Sequence, residues 1–143
     1  ILGISGRYEF KNKGIDVFID AMGQLNRNNG LGKEVLAFIL VPAGHAGANK
    51  ELLHNLELPY QAVTSTDLYL THYLNDSAND PVMNRIRAQK LRNSEEDKVK
   101  IFFVPSYLNG DDGVFNMPYY DLLVGMDLTA FPSFMKMQGI NLL

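Results

Sequence analysis

Four short segments hold residues able to grip or transform a ligand, and each follows an apolar run. Gly6, Arg7 and Lys13 form the first. A glycine lets backbone approach a ligand closely, an arginine presents a planar fork to phosphate oxygens, and a lysine adds a point charge at the start of a helix whose dipole favours anions. That combination suits phosphate chemistry, although its spacing is neither a GxGxxG nor a Walker loop. The same cations also read as solvated loop charges paired with Glu9 or Asp16. The second segment, Pro42-Ala43-Gly44-His45-Ala46-Gly47, is glycine-rich and reads as a turn before it reads as a second anion loop. In the third, Pro105, Ser106, Tyr107 and Leu108 make one wall of a base or sugar pocket, or a plain turn. In the fourth, Pro132 and Ser133 stand where a helix N-terminus receives an anion.

Other chemistries find little support. His45, His54 and His72 have no metal-ligand spacing, His54 reads as helix surface, and the absence of Cys removes thiolate metal sites, disulfides and a Cys nucleophile. No GxSxG elbow marks a serine nucleophile. Net charge is −3 from 13 basic and 16 acidic residues without a long block of one sign, which argues against a grip on nucleic acid or an anionic membrane. No apolar run approaches the roughly 18 residues of a membrane span, and the absence of Cys makes a cytoplasmic setting the expectation. Without Trp, and with tyrosines that read as packing, a carbohydrate-stacking platform is weakly supported.

The elements that must position these residues follow from periodicity. Ile1 to Gly6 reads as a strand and 7–14 as a loop. A helix starts at Ile15, with Phe18, Met22 and Leu25 at helical spacing and Val17 and Ala21 widening the stripe, and stops at Asn28, Asn29 and Gly30. Val35 to Val41 is uninterrupted by polar residues, as in a strand covered on both faces. Two helices follow, over 48–57 and 80–91. Pro81 suits the first turn of the second, and the Asp76–Pro81 stretch an N-capping loop. Strands at Val99 to Val104 and Leu128 to Phe131 flank a short helix from Pro118 to Met126, and 106–117 is the loosest loop. This alternation predicts an α/β fold, a Rossmann-like parallel sheet flanked by helices, with residues 1–143 forming one domain. The chain opens on Ile1 instead of Met and reads as part of something longer.

The run Ser5-Gly6-Arg7-Tyr8-Glu9-Phe10-Lys11-Asn12-Lys13-Gly14-Ile15-Asp16-Val17-Phe18 resembles the start of the C-terminal Rossmann domain of fungal and animal glycogen synthases, which are retaining GT-B glycosyltransferases. Thr71 to Asp76, Asp80-Pro81, Arg85 and Arg87, Asp97 to Phe103 and Pro105, then Tyr120 to Gly125 and Phe131-Pro132-Ser133, follow the family's order, with a gap of weaker likeness around 44–66. The resemblance implies transfer of glucose from a nucleotide-glucose, UDP-glucose or ADP-glucose, to an α-1,4-glucan with retention, without metal or other cofactor. It implies that Arg7 and Lys13, beside Gly6, bind the donor's phosphates; Pro105, Tyr107 and Ser133, at the ends of their strands, are the expected wall of the nucleotide pocket. The glucan acceptor would be held through an N-terminal domain that these residues do not contain.

Two departures qualify the resemblance. The family continues after Phe-Pro-Ser with a glutamate-bearing loop, whereas Phe134-Met135-Lys136-Met137-Gln138-Gly139 follows here. The fragment by itself is therefore expected to be inactive. The connection between the second and third strands is also shorter than the family's, where a helical insertion serves tetramer assembly, so a homo-oligomer is left open. The rival readings are another GT-B transferase, of sucrose synthase or cell-surface glycan type, and a non-catalytic Rossmann-like interaction module.

Overall fold

The structure, a computed structural model, describes residues 1–28, 30–55 and 69–130. Their order is β1 (Leu2–Ser5), α1 (Ile15–Asn26), β2 (Val35–Leu40), β3 (His45–Ala48), α2 (Lys50–Asn55), β4 (His72–Leu74), α3 (Pro81–Ala88), β5 (Val99–Val104), α4 (Tyr119–Val124) and β6 (Leu128–Ala130). Pro132 and Ser133 lie outside the described residues, as does Leu56 of the expected second helix. No described helix is long and apolar enough to cross a membrane.

Four strands form a parallel sheet in the order β5-β2-β1-β6. In-register pairing sets Ile4 against Ile39 and Ile39 against Phe103. Because side chains alternate along a strand, Leu2, Ile4, Ala37, Ile39, Val99, Ile101 and Phe103 share one face. That face packs on Ile15, Phe18, Ile19 and Met22 of α1 and on Val82, Met83 and Ile86 of α3, forming the core. Positions 15, 18, 19, 22 and 23 make one continuous stripe, which leaves Val17 57% exposed and Ala21 exposed. Neither residue widens the buried face as the sequence had suggested. The two helices are joined by Asp20, whose carboxylate accepts from Arg85 at 2.7 and 2.5 Å and from Gln89 at 2.8 Å.

On the opposite face Phe38 stacks on Phe102 and meets the edge of Phe115, and Met126 lies against Gly3. The connection from β5 back to β6 therefore passes over this second face. The chain reverses direction across the sheet between β1 and β6, the switch point beside which open α/β sheets bind ligands.

β5 and β6 are the outer strands among the described residues, and backbone groups along the outward edge of β5 are paired. The Val99 N–H donates to the Asn26 side chain at 3.0 Å, both polar groups of Ile101 bond to the Asn93 amide at 2.8 and 2.7 Å, and Phe103 bonds to Tyr69 and Thr71 at 2.6 and 3.1 Å. This closes an edge that would otherwise template aggregation.

The segment from His45, expected to be part of a turn, is a strand instead. β3 pairs antiparallel with β4, with His45 opposite Leu74 and Ala48 opposite His72. His-Ala-Gly-Ala has little intrinsic strand preference, so its partner, distant in sequence, supplies the reason for its conformation.

Candidate functional site

The carboxyl ends of β1, β2 and β5 open onto a cavity of about 530 Å³ lined by Gly6, Arg7 and Tyr8 after β1, Leu40 and Pro42 at β2, Ser106 to Asn109 after β5, and Tyr119 at the start of α4. The described residues that line it include one cation and no carboxylate. Local chemistry shapes each wall. Gly6 has φ +144° and Gly14 φ +69°, conformations that favour glycine, and these two bends carry the chain from β1 through the Arg7–Lys13 loop into α1.

Arg7 is exposed, and Lys13 is half-buried with its Cδ 3.8 Å from where a side chain on Gly6 would begin. Among the described residues neither has an ion pair or a side-chain hydrogen bond; Asp16 pairs with Lys11 at 3.3 Å instead. The two cations are thus not used up by neighbouring carboxylates. The helix start contributes less than expected. The Ile15 and Asp16 N–H groups donate to the Phe10 carbonyl at 3.1 and 3.4 Å, and the Val17 N–H to the Asp16 side chain at 2.9 Å. An anion here would meet Arg7 and Lys13 more than the free end of a helix.

Tyr107 projects into the opening, 78% exposed. Pro105 is buried and is not among the lining residues; its carbonyl accepts from the Ala43 N–H at 3.2 Å, joining the ends of β5 and β2. Tyr8, Asn109 and Tyr119 escaped the sequence reading. Tyr119 is half-buried and hydrogen-bonds Ser5, linking α4 to the end of β1. The connection from β5 over the sheet's second face brings Tyr119 beside Ser5, more than a hundred positions earlier. Tyr8 donates to Asp80 at 2.8 Å and accepts from the Val82 N–H at 3.1 Å, and burial leads the causes that push its phenol well above the usual range.

The histidines, scattered in sequence, are partly gathered. His72 is fully buried and lies ring-edge to His45 with centroids 4.9 Å apart, whereas His54 is exposed on α2. His72 Nε2 sits 2.8 Å from the Asp112 carbonyl, which only accepts, so Nε2 carries a proton and Nδ1 faces the Thr71 hydroxyl at 2.9 Å. Burial works to raise the Asp112 carboxyl. Hydrogen bonds from the Phe115, Asn116 and Val114 N–H groups outweigh it and hold the carboxyl below the ordinary range. No group of three metal-capable side chains occurs among the described residues.

His45 gives a pH prediction. Burial first, and then the neighbouring His72, lower its pKa from 6.5. The folded state then binds fewer protons than the unfolded one, so this stability is present above about pH 6.5 and is lost as pH falls through the folded value. Thermal melts are expected to show a decline that begins near pH 6.5, above the range where carboxylates titrate, and His45→Gln should flatten it. An unchanged pH profile in His45→Gln would refute this assignment.

The comparisons agree with this geometry. The family model for glycogen synthase matches residues 1–66 and 61–141, which includes the stretch around 44–66 where the likeness had been weaker. The chain is 29% identical to glycogen [starch] synthase isoform 2 of Saccharomyces cerevisiae over 196 residues, covering 95% of this chain and 28% of that protein. It is 27% identical to glycogen [starch] synthase of Neurospora crassa, covering 94% and 27%. Against the liver glycogen [starch] synthase of Rattus norvegicus it is 26% identical, covering 96% and 27%. The chain thus spans little more than a quarter of these relatives' length. The alignments are longer than the chain's 143 residues, so the relatives carry residues it lacks. Sheet order, cavity position and a family match along almost the whole sequence converge: the chain belongs to the glycogen synthase family.

Proposed function

We propose that this chain is the donor-binding portion of an enzyme that transfers glucose from UDP-glucose or ADP-glucose to an α-1,4-glucan with retention of configuration. The observation that carries the reading is the cavity at the carboxyl edge of the parallel sheet, whose lining includes Arg7 and no carboxylate, with Lys13 lying against Gly6 and neither cation holding an anionic partner among the described residues. Fixed cations at that point stabilise the charge that develops on a departing nucleoside diphosphate, and they act most strongly once closure excludes water. The phenol rings of Tyr107 and Tyr119 offer apolar faces to the base and sugar.

A glucan acceptor bound through an N-terminal domain completes the proposed reaction. Residues 133–143 contain no Asp or Glu, so the family's glutamate loop has no counterpart there. The isolated chain is accordingly expected to bind UDP and to transfer no glucose from UDP-glucose to glycogen. Calorimetric titration with UDP, ADP and inorganic phosphate, alongside a labelled-glucose transfer assay, tests both halves. Failure of both nucleotides to bind more tightly than phosphate would sink the donor-site reading.

A further inference from the structure

We infer that Tyr8 is a positioning residue that fixes Arg7 at the cavity by anchoring the loop between β1 and α1 to the start of α3; this rests on the phosphate-binding role proposed for Arg7. Tyr8 lines the cavity with its ring, but its hydroxyl is engaged elsewhere. It donates to Asp80 Oδ1 and Oδ2, at 2.9 and 2.8 Å, and accepts from the Val82 N–H at 3.1 Å. Asp80 is simultaneously the N-cap of α3, accepting from the Met83 N–H at 3.1 Å. One hydroxyl thus completes the cap of a helix more than seventy residues away. The ring meets the edge of Phe103 at 6.2 Å, which sets its height above the sheet.

The anchor is itself braced. Asp80 cannot shift without uncapping α3, and α3 is held to α1 by Arg85 and Asp20. The loop leaves β1 at Gly6 and enters α1 at Gly14, both at positive φ, and among the described residues the Arg7 carbonyl accepts only from within the loop, from the Glu9 N–H at 2.8 Å. Between them the Tyr8 hydroxyl joins the loop to α3, one residue from Arg7. Without it, Arg7 would search more conformations before meeting a phosphate, and ligand affinity would bear that ordering cost.

Tyr8→Phe keeps the ring on Phe103 and deletes the hydroxyl. In calorimetric titrations of this chain it should weaken UDP binding about three- to tenfold, the cost of ordering one or two freed side chains. Uridine, which has no phosphate, should bind within about twofold of wild type, and Tyr8→Phe should have no further effect on UDP once Arg7→Ala is present. Equal losses for UDP and uridine, or additive losses in the double variant, overturn the positioning role, since general damage to the cavity would produce either. A Tyr8→Phe chain that binds UDP normally while Arg7→Ala is impaired also overturns it and leaves the phosphate reading standing. If Arg7→Ala binds UDP normally, the phosphate reading fails and this inference fails with it.

Discussion

Arg7→Ala is expected to weaken UDP binding about 10- to 100-fold, because hydrogen bonds from a charged donor contribute on the order of 1.5–3 kcal/mol. The substitution removes no contact within the described fold, since Arg7 is exposed and without a partner there. Thermal unfolding should therefore stay within about 0.5 kcal/mol of wild type. Lys13→Ala should have a smaller effect, because an ammonium supplies a point charge instead of a planar fork. Titration calorimetry separates affinity from stability. A large drop in melting temperature with unchanged UDP affinity would reverse the assignment and make Arg7 a structural charge.

Asn93→Ala should be the most damaging of the single substitutions considered for stability. Asn93 is buried, with its amide bonded to the N–H and C=O of Ile101 at 2.8 and 2.7 Å. Alanine would leave both groups of a fully buried strand residue unpaired, at about 1–3 kcal/mol for each buried group. Asn93 also has φ +52°, where alanine is strained by roughly another 1 kcal/mol. A fall of at least about 10 °C in melting temperature follows for a chain of this size. Asn93→Gly removes the strain but not the unpaired groups and should recover only a minor part. Full recovery in the glycine variant would show that backbone strain, and not edge closure, governs the site.

Much of the scaffold was legible because its signals are local. The unbroken apolar run at Val35, the largely apolar one at Val99, the helical spacing from Ile15 to Met22, and Pro81 behind a capping Asp each declare an element within a few residues, and the structure has all of them. The parallel arrangement followed from alternation of strand and helix. His45–Ala48 was not legible, since a strand of His, Ala and Gly exists only by virtue of its partner. Val17 misled because neighbours at 100° intervals, not composition, decide which side of α1 is buried.

The site divides in the same way. Residue type and adjacency marked Gly6 and Arg7, and the position of Tyr107 just after a strand marked a wall; all three line the cavity. Whether the cations were free to take a ligand was beyond the sequence, because Glu9 and Asp16 lie near Lys11 as well as near Arg7 and Lys13 along the chain, and only folding pairs Asp16 with Lys11. Tyr119 joined the wall when the chain crossed back over the second face of the sheet, and the Tyr8 hydroxyl found Asp80 across more than seventy residues. By itself the sequence determined the type of most elements, family likeness and the chemistry of the first loop, all of which depend on near neighbours. Tertiary structure alone decided which cations stay unpaired, how the β5 edge is closed and what holds Arg7 in place, because each depends on contacts made after distant segments pack.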